Sequence, residues 1–173
     1  MLEIGMICAE AGEKIARVSA NMAMAADMEV RASSTATTGA YSSACQRGLP
    51  AILMERGGGG RFTDSEVQAY KRDVKNIMIR MGLLSGEEVH TVQQKNVTRA
   101  EYLEAETDGL WYPVFSAGDT FAGGAVLGTV RDIWGNLLRE YRADYPGIVL
   151  YQTVSLGVKA GDPLIAYGEY VDR

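Results

Sequence analysis

P-A-I-L-M-E-R-G-G-G-G-R-F-T-D-S-E, residues Pro50 to Glu66, carries three structural signals in succession. The segment from Leu49 to Glu55 is a short apolar run behind a proline, which predicts a buried strand ending at a carboxylate. Gly57 to Gly60 then let the backbone turn and approach a ligand with no Cβ in the way. Thr63 and Glu66 stand at the capping-box spacing, so a helix opens there. Its apolar stripe is Val67, Tyr70, Val74, Ile77, Met78 and Met81, and Gly82 is a natural stop. Strand, carboxylate, glycine turn and helix, in that order, place Glu55 where open α/β sheets bind ligands. The residues alone leave a second reading open: a flexible turn with Glu55 ion-paired to Arg56 or Arg61.

Upstream, Glu10 to Asp27 is rich in Ala, Met and Glu, and Ile15, Val18, Met22 and Ala25 recur at helical spacing. The methionines at 22, 24 and 28 read as core filler. A short strand is expected near Met28 to Ala32, followed by a small-residue loop from Ser33 to Ala44. Such loops line ligand sites in α/β proteins and also serve as plain surface. His90 to Arg99 is polar and reads as a connector or an edge strand.

Downstream, the chain is glycine-punctuated and strand-like, with a faint repeat. D-G-L-W at 108–111 matches P-G-I-V at 146–149, and A-G-G-A-V-L at 122–127 matches A-G-D-P-L-I at 160–165. Both matches have an offset of 38 residues. Two halves related by a pseudo-twofold would close a small β-sandwich or barrel, with a turn between them at Trp134-Gly135-Asn136. This end is similar to biotinyl and lipoyl carrier domains, but no lysine lies between Lys95 and Lys159, so no cofactor arm can be attached at that tip. Trp111, Tyr112 and Phe115 could wall a pocket or pack a small β core.

Composition narrows the function. The chain has 173 residues, enough for one domain or two small ones, and a net charge of -5, which disfavours nucleic acid as a partner. No apolar run approaches the roughly 18 residues of a membrane span. The first ten residues have no basic n-region and carry Glu3 and Glu10, so no signal peptide is read there. Cys8 and Cys45 make no C-x-x-C, and the expected location is cytoplasmic. The glycine run lacks the G-K-[ST] of a phosphate loop and the spacing of a dinucleotide fingerprint. There is no G-x-S-x-G elbow. His90, the one histidine, has no ligand-type spacing around it and reads as a surface or interface residue. A catalytic zinc needs three protein ligands, which this chain cannot easily supply.

At P-A-I-L-M-E-R-G-G-G-G-R-F the sequence resembles the succinylglutamate desuccinylase/aspartoacylase family, relatives of the zinc carboxypeptidases. The likeness continues to M-G-L-L at 81–84 and resumes in D-G-L-W-Y-P-V-F-S-A-G-D-T-F-A-G-G-A-V-L-G and P-G-I-V…G-D-P-L. The resemblance implies a zinc-dependent amidohydrolase that removes an acyl group from a small N-acyl amino acid. Glu55 would be the general base and acid on the zinc-bound water. It also implies an arginine for the substrate carboxylate, with Arg47 and Arg61 the near candidates. The family's zinc ligands, an H-x-x-E pair and a later His, lie upstream of this segment and have no counterpart here.

The expected fold is therefore α/β, a partial zinc-carboxypeptidase-like sheet with flanking helices over residues 1–90. A small all-β sandwich or barrel domain, barrel-sandwich-hybrid-like, follows over 91–173. The chain reads as the C-terminal half of a deacylase, a fragment or the product of a split gene. Alone it is expected to be inactive and to hold no tight zinc. The alternative is a non-catalytic binding or assembly module. An incomplete sheet should expose apolar surface, so homo-oligomers or association with the missing N-terminal half are expected.

Overall fold

The computed structural model describes residues 4–8, 12–34 and 36–171. In chain order the elements are β1 (Ile4–Cys8), α1 (Glu13–Ala25), β2 (Val30–Ser34), α2 (Ala40–Gln46), β3 (Ile52–Glu55) and α3 (Asp64–Arg80). Only strands follow: β4 (Lys95–Glu104), β5 (Gly109–Pro113), β6 (Thr120–Phe121), β7 (Val126–Arg131), β8 (Leu137–Arg142), β9 (Gly147–Gln152), β10 (Gly157–Val158) and β11 (Pro163–Val171). The chain divides into two units, one reaching to Thr98 and including Val171, the other Arg99–Tyr170.

In the first unit the strand order is β3-β1-β2-β4. β1 and β2 are parallel, β2 and the start of β4 are parallel, and β3 is antiparallel to β1. The segment 90–99 is thus a connector that becomes an interior strand and not an edge, with Val97 buried. β3 lies at the end of this order and is only half-buried, because β1 is its one strand neighbour among the described residues. The expectation of a buried strand at 49–55 is in this respect overturned.

α1 is capped by Gly12 with no side-chain bond, and it buries small residues, Ser19, Ala23 and Ala25. Ile15, Val18 and Met22 are only half-buried, so the inward stripe is offset from the one the larger apolar residues suggested. Met28 is fully buried and fills the core as expected. The predicted loop 33–44 instead contains the end of β2 and most of α2. Gly39, at φ 96°, starts α2 without a side-chain cap, and no sequence signal announces a helix this short.

α3 opens with the full capping box. The Thr63 hydroxyl accepts from the Glu66 amide, and the Glu66 carboxylate accepts from the Thr63 amide. It ends at Gly82, φ 73°, whose amide bonds the Ile79 carbonyl. Its buried positions are not the apolar stripe but Ala69, Asp73 and Asn76, while Val74, Met78 and Met81 are exposed. The helix docks through polar groups.

The second unit holds β4-β11-β9-β6 and β10-β5-β7-β8, and these orders correspond strand for strand. Residues 99–104 of β4 map onto β8 at 137–142, and the starts of β5 and β9 are also 38 residues apart. β7 and β11 correspond in the same way within one residue. The repeat thus covers four strands per half, more than the two matches visible in sequence. The short strands are exchanged: β6 pairs with β9 of the second half, and β10 with β5 of the first.

Equivalent glycines close both halves. A Cβ on Gly109 would lie 2.7 Å from the Arg131 carbonyl oxygen, and one on Gly147 would lie 2.5 Å from that of Gly168. Trp111, Leu127, Val130, Val149, Leu164 and Tyr167 anchor the core. Trp111 lies over Gly128, where a Cβ would come 2.3 Å from the indole ring. Trp111 and Phe115 therefore serve packing, whereas Tyr112 is exposed, with the Arg131 guanidinium 6.0 Å from its ring centroid. The hairpin between the halves is held by Asp132, whose carboxylate accepts from the Trp134 and Asn136 amides.

Gly147→Ala and Gly109→Ala are each expected to destabilise the second unit by about 1–3 kcal/mol, since a backbone atom must move. Tyr145→Phe should leave stability unchanged or slightly raised, because its buried hydroxyl has no hydrogen-bond partner among the described residues. Tyr167→Phe should cost about 1 kcal/mol, because the Tyr167 hydroxyl accepts from the Asp144 amide at 3.1 Å. Chemical denaturation of the four variants checks these orders.

Candidate functional site

Glu55 is the last residue of β3, and its backbone pairs with Ile4 of β1. Its side chain is exposed and has no hydrogen-bond or ion-pair partner among the described residues. The alternating pleat of a strand explains why. Arg56, the next residue, points the opposite way and is buried to 1% exposure of its side chain.

The turn after Arg56 depends on glycine at one position in particular. Gly57 has φ 77°, and a Cβ there would stand 2.9 Å from the Arg61 carbonyl oxygen and 3.4 Å from Glu66 Oε1. The turn closes through a Gly58–Arg61 bridge directly ahead of the capped α3. Glu55 is thereby held between a sheet position and a helix N-terminus.

Beneath it lies a buried polar network that the sequence did not announce. Arg56 donates from Nε to Asp73 Oδ2 at 2.9 Å and from Nη2 to the same carboxylate at 2.7 Å and to the Asp27 carbonyl at 2.8 Å. The other Asp73 oxygen accepts from the Asp27 amide at 2.8 Å. The Asp27 carboxylate accepts from the Thr91 amide (2.7 Å), the Thr91 hydroxyl (2.6 Å), the Val92 amide (3.2 Å) and Arg72 Nε (3.0 Å). The Tyr70 hydroxyl accepts from the Arg56 amide and donates to the Met54 carbonyl. Burial raises the Asp27 pKa, but the Thr91, Val92 and Arg72 hydrogen bonds outweigh it and hold the carboxyl below its usual value. The expected alternative, Glu55 paired with Arg56 or Arg61, is overturned: Arg56 is committed to Asp73, and no contact joins Glu55 to Arg61 among the described residues.

The other candidates are more dispersed. Arg61 sits on the glycine turn and is exposed, while Arg47 is the exposed C-cap of α2. No contact joins either one to Glu55 among the described residues. His90 is exposed and lies 3.0 Å from a Glu88 oxygen, and Glu88 also pairs with Arg80. Cys45 is a buried free thiol, and the Cys8 side chain lies outside the described residues. Among the described residues no three His, Cys, Asp or Glu side chains stand close enough to share a metal ion. The described residues thus do not fit the zinc that the resemblance implies. No helix among them is long and apolar enough to cross a membrane.

No family model matches the chain. Its neighbours among solved structures are succinylglutamate desuccinylase/aspartoacylase family proteins. The member from Rhodobacter sphaeroides superposes with a TM-score of 0.80 at 21% identity, over 99% of this chain and 54% of that one. The product-bound ectoine utilization protein EutE from Ruegeria pomeroyi gives 0.83 at 21% identity, over 96% of this chain and 53% of that one. These superpositions establish a shared mixed α/β fold. A curated relative, the N-alpha-acetyl-L-2,4-diaminobutyric acid deacetylase of Halomonas elongata, is 28% identical over 127 residues, 70% of this chain and 37% of its own length. The chain therefore spans about half, or less, of the proteins it matches.

Asp73→Ala should destabilise the first unit by about 3–5 kcal/mol, because it leaves the Arg56 guanidinium buried without its counter-charge. The pair replacement Arg56→Met with Asp73→Leu should recover most of that loss in urea denaturation. Asp27 has a lower pKa folded than unfolded, so its charge stabilises the fold above about pH 3.9. That contribution is lost as pH falls through the folded-state value. Thermal melts across this range should show the loss in the parent protein and a flatter profile in Asp27→Asn.

Proposed function

We propose that this chain is the C-terminal part of a deacylase acting on small N-acyl amino acids, with Glu55 as its acid–base residue. One observation carries the reading. A carboxylate with no side-chain partner among the described residues leaves the end of β3 beside a glycine turn, its backbone fixed by the buried Arg56–Asp73 pair. The curated deacetylase and the family structures support the substrate class.

In the proposed reaction Glu55 accepts a proton from the attacking water while the water oxygen bonds to the acyl carbon. The carbon–nitrogen bond then breaks, and the proton passes from Glu55 to the leaving amine. A carboxylic acid and a free amino group result. Among the described residues no three His, Cys, Asp or Glu side chains could share a metal ion. The zinc would be held by other polypeptide. Arg61 and Arg47 remain proposed partners for the substrate carboxylate. The organisation proposed is an α/β part over 1–90 and a barrel-sandwich-hybrid-like part over 91–173, in a cytoplasmic protein. The absence of a metal-ligand cluster among the described residues also supports a second reading, a non-catalytic binding or assembly module.

The test supplies the missing half in cis. The portion of Ruegeria pomeroyi EutE that precedes its matched region is fused ahead of Met1, and acetate release from N-acetyl-2,4-diaminobutyrate is measured with zinc present. Glu55→Gln is expected to lower kcat by about 10²–10⁴-fold with little change in KM. Equal activity of the two proteins overturns the role of Glu55. A folded but inactive fusion favours the module.

A further inference from the structure

Glu55 ends a half-buried strand just ahead of the glycine run Gly57 to Gly60. Glycine resists backbone rotation least, so the turn by itself does not fix which way the Glu55 side chain leaves the strand. One atom of α3 supplies that constraint. The Tyr70 hydroxyl accepts from the Arg56 amide at 2.9 Å and donates to the Met54 carbonyl at 3.1 Å. The Met54 carbonyl belongs to the peptide plane before Glu55, and the Arg56 amide to the plane after it. These planes turn about the φ and ψ of Glu55, the two soft backbone dihedrals of that residue. Bonding both planes to one oxygen fixes both dihedrals, and with them the direction of the Glu55 Cα–Cβ bond. The carboxylate oxygens are left to other partners.

The bridging oxygen is itself held in place. Tyr70 is half-buried in α3, at the i, i+3 spacing from Asp73 and so on the same face of the helix. Asp73 grips the Arg56 side chain while Tyr70 grips the Arg56 main chain. The Arg56 guanidinium carbon also stands 5.7 Å from the centroid of the Tyr70 ring. Phenylalanine at this position keeps the ring and loses only the bridge.

We infer that Tyr70 is a positioning residue for Glu55, its hydroxyl aiming the carboxylate through the two flanking peptide groups. The inference rests on the deacylase reading for its consequence in catalysis. An acid–base group must lie within hydrogen-bond reach of the proton it moves. Glu55 serves twice in the proposed reaction, toward the water and toward the leaving amine, so its direction matters at both steps. A misplacement of about 1 Å costs about 100-fold in rate.

Tyr70→Phe tests this in two measurements. In the full chain alone, backbone relaxation by NMR is expected to show lower order parameters at Glu55 and Arg56 in the variant, with those of α3 unchanged. Unchanged order parameters at Glu55 overturn the inference whatever the activity. In the fusion to the preceding portion of Ruegeria pomeroyi EutE, acetate release from N-acetyl-2,4-diaminobutyrate is followed with zinc present. Tyr70→Phe is expected to lower kcat by about 10–100-fold with little change in KM. In a Glu55→Gln background it should have no further effect, because it acts through Glu55. A loss of the same size in both backgrounds overturns the inference, since the hydroxyl then serves the fold or another group. Full activity of Tyr70→Phe beside a disabled Glu55→Gln also overturns it and leaves the deacylase reading standing. An inactive fusion, or Glu55→Gln as active as the parent, removes the deacylase reading, and the order parameters then decide the positioning role.

Discussion

A buried charge pair governs the first unit. Arg56 and Asp73 are both removed from water, and neither charge is tolerable there without the other. Their pairing joins the end of β3 to the middle of α3, and the Asp27 main chain ties in the end of α1. Asp27 then collects the chain at Thr91 and Val92 on its way to β4. Four segments distant in sequence are fixed by hydrogen bonds whose directions admit little slack. Hydrophobic contact alone would allow α3 to slide, since Val74, Met78 and Met81 of its apolar stripe are exposed.

That arrangement also sets the parity of β3. With Arg56 inward, Glu55 must point outward, because successive side chains in a strand take opposite sides. The exposed carboxylate is thus a consequence of the buried cation, and the glycine turn follows from the same constraint. Gly57 leaves the strand at a left-handed φ and brings the chain against the Glu66 cap without a clash. The glycine run has conformational work to do whatever the substrate is.

Much of this was readable in advance, and the limits have physical causes. The capping box at Thr63 and Glu66 and the stop at Gly82 are local, so spacing alone reveals them. Glu55 at a strand end was legible for the same reason. Arg56, Asp73, Asp27 and Thr91 were not, since their meaning lies in long-range pairing and charged residues ordinarily read as surface. The stripe Val74, Met78 and Met81 misled because periodicity identifies a face, not what covers it. α2 had neither length nor cap to mark it. In the second unit the aligned glycines were visible, while the equivalence of β4 with β8 was hidden because strand pairing conserves geometry and not side chains. Met28 was correctly read as a packing residue because it is large and apolar, and of the two uses open to Trp111 the structure takes packing.

The exchange of β6 and β10 between the two repeats has a consequence for folding. Each half completes the other's sheet, so neither is a finished folding unit by itself. The second unit is in effect an intertwined dimer whose protomers are joined head to tail by the Asp132–Asn136 hairpin. Its halves should form together in one cooperative step with a high proportion of distant contacts, which makes for slow folding. The linking hairpin raises the effective concentration of each half for the other. Chain connectivity, and not the strength of either half, is what holds the two together during that step.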